Sequence, residues 1–319
     1  MVNERAEMAC RAFFQNGFTS ISPFGDGHIN ETFCVLTAGG DKYVCQRVRK
    51  EMDISILERN YLLYARAFEN VGWPYPTWQK SAEGRYFFTD PEGDHWRTYP
   101  FIEGEVLQDS LTKEELVAFG QGLARLHKIL QTLPEGPAAV YPVLHDLGHY
   151  YERYVRLLEG DGLIEVQRDG EAEEWIRSGI SRFQSLKLDK TAVIHGDPKL
   201  ANAIFQDGQL KTFIDLDTIM QGSLLEDVAD SIRSCCTLEG RINGDAARAF
   251  VQGYLNVQNG LLTEADCRLL PMVIRKICFE LGLRYYTDSI AKEKSFHEKY
   301  PGYLLEKARG YFVTAMSDS

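Results

Sequence analysis

Residues 192–229, AVIHGDPKLANAIFQDGQLKTFIDLDTIMQGSLLEDVA, contain the clearest structural pattern in the chain. The apolar run that opens this stretch predicts a short strand. Ala203–Phe205 and Leu210–Ile214 predict the two arms of a hairpin, because an Asp-Gly pair at 207–208 is a typical tight turn. A loop that carries polar side chains therefore separates a strand from a hairpin.

Several polar side chains of this stretch stand at intervals that phosphoryl transfer can use. Asp197 and Asn202 lie on the loop before the hairpin, and Asp215 lies just beyond it, so the three can converge. Such a transfer needs a carboxylate that orients the attacking hydroxyl and accepts its proton, and oxygen ligands for the magnesium ion on the nucleotide phosphates. The pattern predicts Asp197 as the catalytic base, Asn202 and Asp215 as metal ligands, and Lys199 as a cation beside the transferred phosphate.

The interval from Asp197 to Asn202 is the one that protein kinases have in their catalytic loop. His-Gly-Asp in place of His-Arg-Asp, and IDLDT in place of Asp-Phe-Gly, favour a small-molecule kinase instead. The segment resembles the aminoglycoside phosphotransferase and choline kinase superfamily, whose pattern is HGDxxxxN, then ID, then a glycine and a further aspartate. Asp227 stands in the position of that last aspartate, and the resemblance implies that it braces the catalytic loop. We expect His195 to act as a hydrogen-bonding strut, with a general base as the alternative.

The resemblance covers most of the chain and implies an α+β, bilobal, protein-kinase-like fold. We expect residues 1–102 to form a nucleotide-binding lobe with an antiparallel sheet, and residues 103–319 to form a mostly helical lobe with the catalytic loop and the acceptor pocket. GHINETF, YVCQRV, WRTYPFIEG, DSIR and FELGLRYYTD are similar to segments of the N-acetylhexosamine 1-kinase branch. The resemblance implies ATP and Mg²⁺ as cofactors and an amino sugar as acceptor.

The N-terminal part carries the predicted phosphate contacts. A loop with Gly25 and Gly27 precedes two strands and can place backbone N–H groups over phosphates, although a plain hairpin remains an alternative. Kinases hold the phosphates with a lysine on the next strand, paired with a glutamate on the helix that follows. Arg47 is the candidate here, since an arginine fork also binds phosphate. Glu58, in the helical stretch 54–70, is its predicted partner, with a solvated surface acid as the alternative.

The strand after that helix is expected to run into a hinge between the lobes. Backbone groups at Tyr99, Phe101 and Ile102 would meet the adenine edge there. A Thr-x-x-Glu capping box at 112–115 then predicts the first large helix of the C-terminal lobe.

The predicted acceptor contacts lie in the C-terminal lobe. The resembling kinases have an insert that shapes the acceptor pocket, and His145 and Asp146 fall in it, with a cap or turn role as the alternative. Arg284 and Asp288 are four apart on a predicted helix and contact the acceptor or form a surface pair. Arg233, in DSIR, is a further candidate.

Composition limits the possible partners. The formal net charge of the 319 residues is -11, which argues against nonspecific nucleic-acid binding through lysines and arginines. The seven cysteines form no CxxC pair and predict reduced thiols in a cytoplasmic protein. The first residues lack the apolar core of a signal peptide, and no apolar run is long enough to predict a membrane span. We expect a monomer or homodimer.

These observations predict a cytoplasmic ATP- and Mg²⁺-dependent kinase of a small molecule, and the resemblance implies that it phosphorylates the anomeric hydroxyl of an N-acetylhexosamine. Choline, homoserine, methylthioribose or an aminoglycoside is an alternative acceptor with the same chemistry. An inactive nucleotide-binding module is a third alternative, which Arg47 in place of lysine favours and the retained acids oppose.

Overall fold

The computed structural model describes residues 4–25, 31–108, 111–188, 191–238 and 240–317. The chain divides into two compact units, Met1–Glu105 and Val106–Ser319. The first combines an antiparallel sheet with helices, and the second is mostly helical, as predicted.

The sheet of the first unit has the strand order β1-β2-β3-β5-β4, and every neighbouring pair is antiparallel. In chain order the elements are α1 (Glu4–Phe13), β1 (Phe18–Pro23), β2 (Thr32–Thr37), β3 (Lys42–Val48), α2 (Ile54–Val71), β4 (Phe88–Thr89) and β5 (His95–Pro100). Asp53 caps α2 by accepting hydrogen bonds from the N–H groups of Ser55 and Ile56.

The helices of the second unit carry clear start signals. They are α3 (Lys113–Leu130), α4 (Leu147–Glu159), α5 (Gly170–Gln184), α6 (Leu224–Cys236), α7 (Gly244–Val257), α8 (Glu264–Ser289) and α9 (Tyr303–Met316). The predicted capping box is present at α3, where Thr112 and Glu115 bond each other's backbone. A second box, formed by Thr263 and Asp266, starts α8.

Short strand pairs support the loop between residues 194 and 203. Strand β6 (Thr191–Ile194) pairs with β9 (Met220–Ser223), and β7 (Ala203–Gln206) pairs with β8 (Gln209–Phe213); a small pair, β10 (Thr237–Leu238) and β11 (Arg241–Ile242), lies elsewhere. Positive φ angles at both turn residues, 207 and 208, give the hairpin the turn that the Asp-Gly pair predicts.

The sequence did not predict β1, β9, α5, α6 or the pair β10 and β11. Strand β9 is short, and its apolar content is modest, so only its pairing with β6 identifies it. Within the part of the chain that the structure describes, no helix is long and apolar enough to cross a membrane.

Candidate active site

Asp197 is held by two neighbours on the loop between β6 and β7. The Asn202 Nδ2 group donates to the Asp197 backbone carbonyl over 2.8 Å and to its Oδ2 over 3.1 Å. The Lys199 ammonium lies 2.5 Å from the same Oδ2. Two donors on one carboxylate oxygen fix the side chain, and this geometry leaves Oδ1 as the oxygen to approach a hydroxyl.

The predicted metal ligands are joined through the backbone. The N–H group of Ile214 donates to the Asn202 carbonyl over 2.8 Å, which brings the next residue, Asp215, beside the loop. Asp215 has a left-handed backbone, with φ 59°, a conformation that turns the chain sharply at the end of the hairpin. Burial would lower the pKa of Lys199, but the charges of Asp197, Asp215 and Asp230 raise it, so the ammonium is charged.

These residues fit a hard divalent cation. Because Asn202 uses its amide nitrogen on Asp197, its amide oxygen points elsewhere and can serve as a ligand together with the Asp215 carboxylate. No group of three or more His, Cys, Asp or Glu side chains within the described ranges is arranged to hold a metal ion. Two protein oxygens, with the remaining ligands from phosphate and water, are typical of Mg²⁺.

His195 is a neutral strut. Its Nδ1 accepts the N–H of Asp197 over 3.2 Å, and its Nε2 donates to the Ile214 carbonyl over 3.2 Å. The ring is fully buried, and that burial lowers its pKa. A neutral ring with one donor and one acceptor satisfies both contacts.

Asp227, near the start of α6, holds the other side of the loop. Its Oδ2 accepts from the backbone N–H of His195 over 2.7 Å, and its Oδ1 accepts from that of Gly196 over 2.9 Å. The Nε2 of His127 donates to the same Oδ2 over 3.0 Å, and Tyr254 bonds the other ring nitrogen. Gly196 itself is required, because its φ is 87° and a side chain there would meet the Thr218 carbonyl.

His145 contacts the loop from outside it. Its Nε2 lies 3.0 Å from the Gly196 carbonyl oxygen, and its Nδ1 lies 3.5 Å from Glu280 of α8. Burial alone would lower the pKa of His145, but the charges of Glu280, Glu226 and Asp230 raise it to about 9. The imidazolium donates to the Gly196 carbonyl and offsets the charge of buried Glu280. The backbone φ of His145 is 62°, which is unusual for a non-glycine residue.

Charged side chains line the facing sides of α6 and α8, and among them only Arg233 was a predicted acceptor residue. Lys276 pairs with Glu226, and Arg233 donates to Asp230 over 2.8 Å. Burial would raise the pKa of Asp230, but Arg233, His145 and Lys199 lower it. The sequence contained a signal for a charged face on each helix, since residues four apart share one helix face: Glu226 with Asp230 on α6, and Lys276 with Glu280 and Arg284 on α8.

The other predicted acceptor residues have clear structural contacts. Asp146 caps α4 by accepting from His149 N–H over 2.9 Å, which is the cap alternative. Asp288 is fully buried, pairs with Arg153 and accepts the backbone N–H groups of residues 295 and 296. The alternative of a surface pair between Arg284 and Asp288 is therefore wrong, and their contact with the acceptor stays a prediction.

Arg284 instead lies among aromatic rings. Its guanidinium carbon is 4.7 Å from the centre of the Tyr150 ring and 5.3 Å from that of Phe296. Its Nη1 lies 3.8 Å from Glu280, one turn earlier on α8. The guanidinium thus lies beside two aromatic rings and a buried acid.

In the first unit, the predicted pairing of Arg47 with Glu58 is wrong. Arg47 lies 3.1 Å from both Asp94 and Glu31, and Arg5 of α1 shares Asp94. Arg47 lies on the face of the sheet that packs on α1, whereas Glu58 is on α2. Glu58 forms no hydrogen bond or ion pair with the residues that the structure describes.

The predicted nucleotide loop and hinge are described only in part. Gly25 has a φ of 77°, and Gly27 lies outside the described residues. Phe101 N–H donates to the Lys42 carbonyl over 3.0 Å, its ring packs on Phe24, and Tyr99 is buried. Within the described ranges, the backbone of Ile102 forms no hydrogen bond, and its predicted contact with adenine stays a prediction.

Solved structures that resemble this chain include three small-molecule kinases. An amicoumacin kinase, solved with AMP-PNP, Ca²⁺ and Ami, has a TM-score of 0.68 and 11% identity, over 98% of this chain and 93% of that one. A microcompartment-associated aminopropanol kinase has a TM-score of 0.65 and 20% identity, over 93% of this chain and 91% of that one. A choline/ethanolamine kinase family protein from Mesorhizobium loti has a TM-score of 0.63 and 15% identity, over 97% of this chain and 92% of that one. The fold is therefore kinase-like, as the sequence predicted.

The chain belongs to the APH phosphotransferase enzyme family, whose model matches residues 20–263. It is thus a small-molecule phosphotransferase, an enzyme that transfers phosphate to a hydroxyl group. This confirms the superfamily that the HGDxxxxN and ID pattern indicated.

Proposed function

We propose that this protein is an ATP- and Mg²⁺-dependent sugar kinase that phosphorylates the anomeric hydroxyl of an N-acetylhexosamine. The observation that carries the phosphotransfer is the arrangement of Asp197 with Asn202 and Lys199. A carboxylate with one oxygen held by two donors is prepared to orient a hydroxyl with the other. ADP or an ATP analogue in solved relatives, and Ca²⁺ in one of them, support a nucleotide with a divalent cation.

In this mechanism the oxygen of the acceptor hydroxyl bonds to the γ-phosphorus of ATP, and Asp197 accepts the proton of that hydroxyl. The bond from that phosphorus to the β-phosphate oxygen breaks, and ADP leaves. Lys199 offsets the charge of the transferred group. Asn202 and Asp215 would hold Mg²⁺, which neutralises charge on the phosphates when bound.

The charged side chains of α6 and α8 support a neutral acceptor over a cationic one. The buried acids on α6 and α8 are matched by bases: Asp230 by Arg233, Glu226 by Lys276 and Glu280 by His145. Paired charges offer hydrogen bonds without a net field that would favour a polycation. Arg284 between Tyr150 and Phe296 adds a planar donor and aromatic surface, which suit a hydroxyl-rich ring.

The segments that resemble the N-acetylhexosamine 1-kinase branch support the same choice. DSIR contributes Asp230 and Arg233, and FELGLRYYTD contributes Glu280 and Arg284. The first motif lies on α6 and the second on α8. Because these helices pack together, the two motifs contribute to the same polar surface.

An acceptor screen tests this proposal. ADP release should be measured with amino sugars, neutral sugars, amino alcohols and aminoglycosides, and ³¹P NMR of the product should identify the phosphorylated position. We expect turnover with N-acetylhexosamines and an anomeric phosphate signal. Turnover with an amino alcohol or an aminoglycoside alone would overturn the sugar assignment, and ADP release with none of the acceptors would favour the inactive module.

A further inference from the structure

We propose that Arg97, rather than Arg47, is the cation of the first unit that holds the nucleotide phosphates. This inference rests on the proposed ATP-dependent function. It concerns a residue that the sequence pattern did not single out, because Arg97 lies on β5 and not on the strand after the glycine loop.

The pleat of the sheet separates the two arginines. Cys45 of β3 and Trp96 of β5 belong to one core cluster with the α1 residues Ala6 and Cys10. Because side chains alternate along a strand, Arg47, which pairs in register with Trp96, lies on this α1 face. Gln46 and Arg97 pair with each other in register and lie on the opposite face.

On that opposite face, Trp78 lies between Arg97 and α2. The Tyr61 ring of α2 stacks on the Trp78 ring, with centres 4.2 Å apart. The Tyr61 hydroxyl also accepts a hydrogen bond from the backbone N–H of Trp78. The Arg97 guanidinium carbon lies 4.8 Å from the Trp78 ring centre. In kinases the phosphate-holding lysine of the third strand pairs with a residue on the next helix, so it faces that helix. Gln46 occupies this position here, and it is neutral.

Arg97 supplies charge at the same place. Its Nε and Nη2 donate to Gln46 Oε1 over 3.1 Å and 2.6 Å, so the neutral side chain holds the guanidinium. Gln46, Trp78 and the stacked Tyr61 fix the plane of the fork before a ligand arrives. A fork with fixed orientation matches two phosphate oxygens better than a flexible ammonium does.

Arg47, by contrast, serves the α1 face. Asp94 and Glu31 offset its charge, and Asp94 also binds Arg5 and the Lys50 N–H. This network ties α1 to the sheet. Moving Arg47 to a phosphate would break two ion pairs and bring it through the sheet.

The test compares nucleotide affinity in four variants of the full chain. Isothermal titration with MgADP should show a loss of about 10- to 100-fold in Arg97→Gln, as expected when one charge-assisted contact is removed. Arg47→Gln should bind within about 3-fold of wild type, as should the exposed control Arg85→Gln. The double variant Gln46→Lys with Arg97→Gln returns the charge to β3 and should recover most of the loss.

Several outcomes would overturn the inference: MgADP affinity retained in Arg97→Gln, lost in Arg47→Gln, or not recovered in a folded double variant. If thermal melting shows that Arg97→Gln does not fold, Arg97→Lys and the double variant decide, since both keep a cation on the α2 face and must bind. Because no acceptor is present, failure of the sugar assignment leaves this result unaffected. A wild-type protein that binds no MgADP would overturn both proposals.

Discussion

The Nε2 atom of His145 lies 3.0 Å from the carbonyl oxygen of Gly196, the residue directly before Asp197. The N–H of the same glycine is bound by Asp227. The chain is therefore held on both sides of the residue before the proposed base, by side chains from two different parts of the second unit.

The stability of the protein should depend on the charge of His145. Its pKa rises from 6.5 to about 9 on folding, so the folded state binds the proton more tightly. The resulting stabilisation is fully present below pH 6.5 and is lost as the pH rises through about 9. We expect the free energy of unfolding of wild type, relative to His145→Gln, to fall by up to roughly 3 kcal/mol over this range.

Urea unfolding at pH 6.0, 7.5 and 9.0 measures this difference. Glutamine keeps a donor toward Gly196 and removes the titration. The matched control His149→Gln, on α4, should keep the wild-type pH dependence. If the free energy of unfolding changes equally with pH in wild type and His145→Gln, His145 is not charged in the folded protein.

The change Asp197→Asn should remove turnover and keep nucleotide binding. The amide cannot accept the hydroxyl proton, so we expect kcat to fall by about 10²- to 10⁴-fold. Binding of MgADP should stay within about 3-fold, because Asp197 is proposed to act on the acceptor. Steady-state kinetics and calorimetry measure the two quantities, and Asp207→Asn, in the hairpin turn, is the control. Near-normal kcat would refute the base assignment.

The change Asp215→Asn should weaken the use of Mg²⁺. Asparagine tolerates the left-handed backbone at this position, so the fold is kept while one anionic ligand is lost. We expect the Mg²⁺ concentration for half-maximal rate to rise by at least about 10-fold at fixed ATP. Asp207→Asn is again the matched control, because Asp207 also has a positive φ. An unchanged Mg²⁺ titration would exclude Asp215 as a ligand.

The loop from Asp197 to Asn202 was predictable because its residues are close in sequence. Their spacing, the hairpin and the Asp-Gly turn are local features, and local geometry brings the side chains together. The partners of His145 were not predictable, since Glu280 lies on a helix far along the chain and only the packing of α8 brings it close.

Arg47 illustrates a second limit of sequence reasoning. Neighbouring positions on a strand point to opposite faces, so a shift of one residue changes the helix that a side chain meets. The pattern predicted strand β3 itself, but the sequence did not show which face of that strand packs on α1. The pairing with Glu58 failed for that reason, whereas the register of β3 with β5 identifies Gln46 and Arg97.

The change Asp227→Asn should destabilise the second unit and disturb the catalytic loop. Both carboxylate oxygens accept hydrogen bonds, from the N–H groups of His195 and Gly196 and from the His127 ring. The asparagine amide would turn its NH₂ group toward one of these donors. Neither the NH₂ group nor that donor would then have an acceptor, although the site is fully buried. We expect a loss of at least about 2 kcal/mol in the free energy of unfolding, measured by urea denaturation. The exposed control Asp245→Asn should stay within about 0.5 kcal/mol of wild type, and an equal result for the two variants would show that Asp227 does not brace the loop.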